Sequence, residues 1–475
     1  MSLIRFAVPL LCMSILAACS EEPVYKIPVI PQPAAYKEST TIWQPAQPAD
    51  KLSRGDWWKD YRDPLLDSLV VKLDAANADL ALAVAHFDAA TAFAAQARTS
   101  LFPTVSAGSY ATRNAQSSTR ALRNPNQPNV YGDNAFGLMA NYEVDLWGQV
   151  RDQIESGKAG AQAAAADVES IHLSLRAELV NDYIALRILD AQSKLLSDEV
   201  NYYAKALQLT QLRFQGAIAS ALDVSQAKVQ LETAQAKLSD IIASRALYEH
   251  AAATLVGESA SAFSIAPAVM DIQLPTIPVG LPATLLQRRP DISAAERRMA
   301  AANADVGVAK TAFFPTVNLA AAGGYESAYQ AGWLNAPNLF WSIGPNALLT
   351  IFDAGRRQYV VDQAQAAFRV AGAQYRSTVL HAFQDVEDNL SLLNNLSTES
   401  VSLAQAVTDT NHTLDIAMNR YREGIDSYLE VAVASALAQQ IQLDELDLRR
   451  RRLQASVNLI RALGGGWDSA QLSSK

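Results

Sequence analysis

The chain has 475 residues, a formal net charge of −9 at pH 7 and a pI near 5.2. That acidic balance counts against a nucleic-acid surface, while the length alone would allow several domains. The only cysteines are Cys12, inside the leader, and Cys19, so the mature chain has neither an internal disulfide nor a cysteine metal site.

At the start, Arg5, an apolar core from Phe6 to Leu16 and small residues before a cysteine read as a secretory signal over residues 1–18. The core is too short to span a bilayer. Leu16-Ala17-Ala18-Cys19 resembles the lipobox of bacterial lipoproteins, in which the chain is cut before the cysteine. Cys19 is then expected to carry an S-diacylglycerol and an N-acyl chain, and no other cofactor is expected. Several buried acyl chains anchor durably where one does not. The alternative is an ordinary signal with an incidental cysteine. No later stretch offers ~20 continuous apolar residues, so any passage through a bilayer must use strands.

The body of the chain is written twice. Ala97-Arg98-Thr99-Ser100-Leu101-Phe102-Pro103-Thr104-Val105 returns as Ala309-Lys310-Thr311-Ala312-Phe313-Phe314-Pro315-Thr316-Val317. Val144-Asp145-Leu146-Trp147-Gly148 faces Ile351-Phe352-Asp353-Ala354-Gly355, and Arg213-Phe214 faces Arg420-Tyr421. These later blocks keep an offset of about 207 residues, and Gly257 against Gly464 keeps it too. The organisation expected is a signal at 1–18, a lipidated tether at 19–62, a first repeat at 63–257, a linker at 258–289, a second repeat at 290–466 and a tail at 467–475. Each repeat holds a helix, a β-hairpin and a long helical hairpin.

Within the first repeat, a weak strand starts near Pro103. After a polar loop, Phe136, Leu138, Ala140, Tyr142, Val144 and Leu146 alternate with Gly137, Met139, Asn141, Glu143 and Asp145, as a strand with one mainly apolar face would. The second repeat matches this with a strand near Pro315 and with Trp341, Ile343, Pro345, Ala347, Leu349 and Ile351. Alternating segments of about 10 residues are the pattern of outer-membrane strands, and Trp333, Phe340 and Trp341 fall where an aromatic girdle would lie. An ordinary half-buried hairpin of a soluble domain has the same pattern. Four strands cannot close a membrane barrel, so the chain must oligomerise, and either two or three copies give an allowed even number.

After each strand pair, proline disappears. All prolines lie outside Asn129 to Ala266 and Asn346 to Lys475, runs rich in Ala, Gln, Leu and Glu that favour long helices. Helices are expected from Gln149 to Gln215 and from Arg356 to Arg422. Leu175, Leu179, Leu186 and Leu189 form one stripe and Val180, Ile184 and Ile188 another, so the first helix has two packed neighbours. Phe383, Leu390 and Leu393 keep coiled-coil spacing in the second. Each helix turns near Gly216 or Gly424 and returns to about Gly257 or Gly464.

Leu281-Pro282-Ala283-Thr284-Leu285-Leu286-Gln287-Arg288-Arg289-Pro290-Asp291-Ile292 resembles a hallmark of outer-membrane efflux lipoproteins. Asp56-Trp57-Trp58, Asp63-Pro64-Leu65, both Phe-Pro-Thr-Val blocks, Asp145-Leu146-Trp147-Gly148 and Ala462-Leu463-Gly464-Gly465-Gly466-Trp467 match in the same order. The chain is therefore similar, over essentially its whole mature length, to the outer-membrane factor (TolC-like) family, and within it to the OprM/NodT group.

The resemblance implies a mixed α+β membrane protein: a trimeric twelve-stranded outer-membrane β-barrel, four strands per chain, continuous with a periplasmic α-helical coiled-coil barrel. It implies passive efflux of drugs or other small molecules. The homotrimer would dock on a periplasmic membrane-fusion adaptor and an inner-membrane pump, RND-type in preference, with outer-membrane lipid around the barrel. Ser20, in place of Asp, favours the outer membrane by the same resemblance. Pro23 to Pro48 would be a tether on the barrel flank, and Gly257 to Pro290 an equatorial crossing.

By the same resemblance the two helical turns are periplasmic tips. Asp223, Asp426, Leu429, Glu430 and Tyr421 are the expected pore gate, and Arg213, Phe214, Gly216, Arg420 and Gly424 the expected adaptor contacts. In a trimer each acid becomes a ring of three that favours cations. Helix-start acids would explain the same carboxylates. The turns differ by one place in their glycine, and Val433 stands where relatives often carry a further Asp, which leaves Leu429 as the main steric plug.

Enzymatic signals are poor: the five histidines show no His-Glu-x-x-His spacing, and there is no phosphate loop and no Gly-x-Ser-x-Gly elbow. Asp385, Glu387 and Asp388 read as a solvated or tunnel-facing patch, and Arg449 to Arg452 as a basic face paired with Asp444, Glu445 and Asp447. The competing readings are a lipid-anchored periplasmic coiled-coil scaffold without a pore, and a secreted hydrolase. The exported compound is not legible, and the six methionines form no cluster that would point to copper or silver.

Overall fold

The computed structural model describes residues 23–28, 30–31, 35–38, 55–121, 124, 126–275, 277, 288–329 and 331–467. The signal, Cys19 and Leu281 to Gln287 of the hallmark segment lie outside the described residues. In chain order the elements are α1 (Pro64–Ala76), α2 (Ala78–Thr99), β1 (Thr104–Ala115), β2 (Val130–Glu143), α3 (Gln149–Gln215), α4 (Ala221–Leu255), α5 (Pro290–Thr311), β3 (Thr316–Ser327), β4 (Leu339–Leu348), α6 (Arg356–Arg422) and α7 (Tyr428–Ala462). The long helices, α3 and α6, have 67 residues each, and the returning helices, α4 and α7, have 35 each. At 1.5 Å per residue the longer pair each extend about 100 Å.

Two compact units divide these elements. The first is built from Phe87–Ala164 and Ala295–Tyr375 with the described part of Met1–Pro28. Its sheet is a four-stranded antiparallel meander in the order β1-β2-β3-β4, so the two expected hairpins merge through pairing of β2 with β3. The register aligns Ala107, Leu138, Gly323 and Trp341 across the sheet, and the adjacent row aligns Val105, Ala140, Ala321 and Ile343. Residues in register share a face. That face is therefore apolar, while Ser106, Asn141 and Asn318 point the other way.

The strand ends differ from the sequence reading. β2 begins at Val130, six places before Phe136, and stops at Glu143, so Val144 and Leu146 fall outside it. The Asp145 carboxylate accepts hydrogen bonds from the Val150 and Arg151 amides, which satisfies the first turn of α3 and draws the chain out of the sheet. β4 likewise stops at Leu348, leaving Leu349 and Ile351 in the connection to Asp353, whose side chain accepts from the Gly355 and Arg357 amides. Phe340 and Trp341 are adjacent in β4 and so point to opposite faces, which removes Phe340 from any girdle that holds Trp341.

Helix α2 is apolar but is not a continuous apolar run. It is long and apolar enough, by length and composition, to meet the criterion for a membrane span, with a mean hydropathy of 1.3. Asp79, His86 and Asp88 interrupt it, and Leu82, Val84 and Phe93 are exposed.

The second unit holds α1, α4, α7, the start of α2 up to His86, α3 from Ala165 onward, the start of α5 up to Ala294 and α6 from Arg376 onward. Both stripes predicted for α3 are buried: Leu179, Val180, Ile184 and Leu186 have no exposed surface. Asp63 caps α1 by accepting from the Leu65 and Leu66 amides, and its other oxygen meets the buried Tyr183 hydroxyl. Arg187 and Arg245 flank Asp190 at 2.9 and 2.7 Å, and Asp190 also accepts the Ala268 amide at 3.0 Å. This network fastens the start of the linker to α3 and α4, because a buried charge is tolerated only when paired and hydrogen-bonded. At the helix ends, Gly257 and Gly464 both adopt positive φ, and a Cβ at either would collide with the carbonyl of Ala76 or Arg288.

The carboxylate and arginine clusters pair in part with segments other than those expected. Asp385 pairs with Arg289 at 3.0 Å, and Glu387 accepts the Lys37 and Glu38 amides, so these carboxylates hold other segments instead of forming a free patch. Among the arginines, Arg450 and Arg451 pair with Asp447, but Arg449 pairs with Asp271 and Arg451 also with Glu399, while Asp444 accepts from Gln440.

Candidate functional site

The site lies wholly in the second unit, where α3 turns into α4 and α6 into α7. Both turns close identically in backbone terms. The Ile218 amide donates to the Arg213 carbonyl at 2.8 Å, and the Ile425 amide to the Arg420 carbonyl at 2.9 Å. This six-residue closure needs one left-handed residue just beyond the helix. Ala217 supplies it with φ 57° and Gly424 with φ 79°. The glycine that is shifted in sequence therefore does not shift the turn. Gly216 is not the left-handed residue; Ala217 is.

The side chains then divide. In the first turn, Ser220 and Asp223 form a reciprocal capping box at the start of α4: the Asp223 amide donates to the Ser220 hydroxyl, and the Asp223 carboxylate accepts the Ser220 amide at 2.8 Å. In the second turn, Ser427 makes no side-chain cap. Asp426 is instead gripped by Arg420 through two bonds of 2.5 and 3.0 Å, and this guanidinium holds its carboxyl below the usual carboxylate range. Among the described residues Glu430 has no side-chain partner of either kind, and it is exposed. Leu429 beside it is 47% exposed, and Phe214 also faces outward.

Tyr421 does not share that exposure. Its ring is 5% exposed, meets Tyr428 edge-on at 5.4 Å and lies under the Arg213 guanidinium at 4.4 Å. Arg213 also donates to the Tyr421 carbonyl at 3.0 Å, so it ties one turn to the other within the chain instead of presenting a free cation. Ala227, Met418, Val431 and Ala434 complete the apolar cluster. Tyr421 is thus part of the packing that joins the turns. Sequence reasoning missed Tyr428 and Gln230, which bond through the Tyr428 hydroxyl at 2.8 Å. The signal was the seven-residue interval from Tyr421 to Tyr428 across the turn.

Among the described residues no group of three or more His, Cys, Asp or Glu side chains is placed to hold a metal ion. What the arrangement provides is a rigid pair of turns with exposed apolar side chains and an unpaired carboxylate.

A meander with an apolar face, carrying long helical hairpins that end in paired turns, defines the class of helix-bearing outer-membrane channel proteins. The description "Outer membrane efflux protein" matches residues 69–258 and 281–465, and the chain belongs to that family. It is 31% identical over 455 residues to the probable efflux pump outer membrane protein TtgC of Pseudomonas putida, covering 95% of this chain and 94% of that protein. It is 32% identical to the pyoverdine export outer membrane protein OpmQ of Pseudomonas aeruginosa, covering 87% and 88%. Among solved structures, the outer-membrane channel OprN superposes with a TM-score of 0.87 at 29% identity, covering 94% of this chain and all of that one. The open MtrE outer membrane channel of Neisseria gonorrhoeae gives 0.81 at 25% identity, covering 95% and 99%. The protein is an outer-membrane efflux channel component that extends into the periplasm, and its family is one of channels and not of enzymes.

Proposed function

We propose that three copies close a twelve-stranded barrel in the outer membrane, continued by a helical tunnel, and that this duct passively exports drugs or other small molecules. It receives them from a periplasmic adaptor coupled to an inner-membrane pump of the RND type, and Cys19 carries the lipid anchor. One observation supports closure by copies. At the β2–β3 junction, Trp147 stacks on Phe314 at 4.8 Å, its indole N–H donates to the Pro315 carbonyl, and the Val144 amide donates to the Val317 carbonyl. Phe102 before β1, the counterpart of Phe314, is 71% exposed, and Phe352 after β4, two places before the Ala354 that matches Trp147, is 86% exposed. An open edge in lipid is forbidden by its unpaired backbone groups. Pairing β4 of one copy with β1 of the next would repeat the β2–β3 ladder and bring both exposed rings to the seam.

A Phe102→Cys, Phe352→Cys double variant tests this in a Cys12-free, Cys19-lipidated background. Oxidation is expected to give covalent dimers and trimers, and each single variant none; a ladder that stops at dimers, or no ladder, overturns closure by three copies. At the tips, Leu429 and Glu430 are the exposed pair that would line the closed end. In planar-bilayer recordings of the same preparation Leu429→Ala is expected to raise resting conductance, and Asp223→Asn with Glu430→Gln to lower cation selectivity. Unchanged recordings would move the constriction elsewhere.

A further inference from the structure

The arginine run of α7 leaves one cation unneutralised. Arg449 reaches the Asp271 carboxylate and donates to the Ile272 carbonyl at 3.0 Å, Arg450 pairs with Asp447 at 2.6 Å, and Arg451 with Glu399 at 2.8 Å. Arg452 pairs with no carboxylate among the described residues, and its Nε is buried without a hydrogen-bond partner. The Arg452 side chain is half-buried, and its Nε has lost its water without gaining a bond, which native proteins seldom leave so. This one borders a cavity of about 430 Å³ between α6, α7 and the extended segment 272–274.

The remainder of the wall sets the ligand. Ile272, Leu274, Leu446, Leu448 and Leu453 are apolar, Gln273 and Arg449 are both engaged by Asp271, and the Ser400 hydroxyl donates to the Ser397 carbonyl. Glu445 lines the same cavity and is exposed, which disfavours polyanions. One free guanidinium beside apolar walls calls for one negative charge on an apolar body. The volume is within the range of small-molecule pockets. Arginine suits a carboxylate in particular, because its fork can bond both oxygens at once. We propose that this cavity is a binding site for an amphipathic monocarboxylate, its carboxylate on Arg452 and its apolar part against Ile272, Leu274, Leu446 and Leu453. The net charge of −9 repels anions from the molecule as a whole.

The probe is 6-(4-fluorophenyl)hexanoate, followed by fluorine NMR with the purified full chain in a maltoside detergent, with the matching alcohol and amine as controls. Saturable binding of the carboxylate is expected, at least tenfold tighter than the alcohol, with no saturable binding of the amine. Arg452→Gln is expected to weaken the carboxylate at least tenfold and leave the alcohol unchanged, while Arg452→Lys retains part of the affinity. Arg450→Gln, whose partner is Asp447, leaves carboxylate binding intact and controls for folding of the run. Equal affinity for carboxylate and alcohol, unchanged binding in Arg452→Gln, or uptake that only follows detergent concentration would each overturn the assignment.

Discussion

Position 217 shows what a single residue contributes to the tip. A left-handed alanine carries roughly 1–2 kcal/mol of strain. Glycine would relieve that strain but would return about 0.4–1 kcal/mol through the freedom it adds to the unfolded chain. Ala217→Gly is therefore expected to stabilise by about 0.5 kcal/mol, and Gly424→Ala to destabilise by a similar amount. No atom crowds a Cβ at Gly424, so its cost is backbone strain alone. The temperature at which helical circular dichroism is lost checks the pair; shifts of the same sign would remove the argument. The sequence suggested unlike turns because it displays glycine and not φ. Packing of Arg213 over Tyr421 and the buried Tyr428 hold the turn in place whichever residue adopts that φ.

Elements were legible where their pattern is long. The ends of α3 and α6 fall where the proline-free, alanine-rich runs placed them, since many weak propensities add over 67 residues. Strand ends were less legible, because alternation continues through Val144 and Leu349 while the Asp145 and Asp353 caps end the ladder. Face assignment survived that error. Leu138 stands in register with Trp341 through Gly323, on the apolar side, and Glu143 stands on the other. Leu138→Arg is expected to impair assembly by roughly 2–4 kcal/mol, the cost of arginine against lipid at mid-bilayer depth. Glu143→Arg should assemble normally. The yield of heat-resistant oligomer on detergent gels is the readout, and equal yields would reverse the assigned faces.

For the whole molecule, anchorage and closure are separable. In the proposed assembly the barrel alone holds the protein in the outer membrane, whereas the acyl chains on Cys19 add a second attachment. Cys19→Ala is then expected to leave the chain exported and membrane-bound but without lipid, as labelling with a radioactive fatty acid would report. Undiminished label on the variant would end the lipoprotein reading.

The sequence by itself determined the family, the helix spans, the strand faces and the positions of both turns, because each rests on periodicity or on residues adjacent in the chain. Only the tertiary structure decided which groups meet across the chain. It joined β2 to β3, buried Tyr421, gave Asp426 to Arg420 and Asp223 to a capping box, and left the Arg452 Nε without a hydrogen-bond partner among the described residues. Partner choice is settled by distance and burial between residues tens to hundreds of places apart, and local pattern carries no record of either.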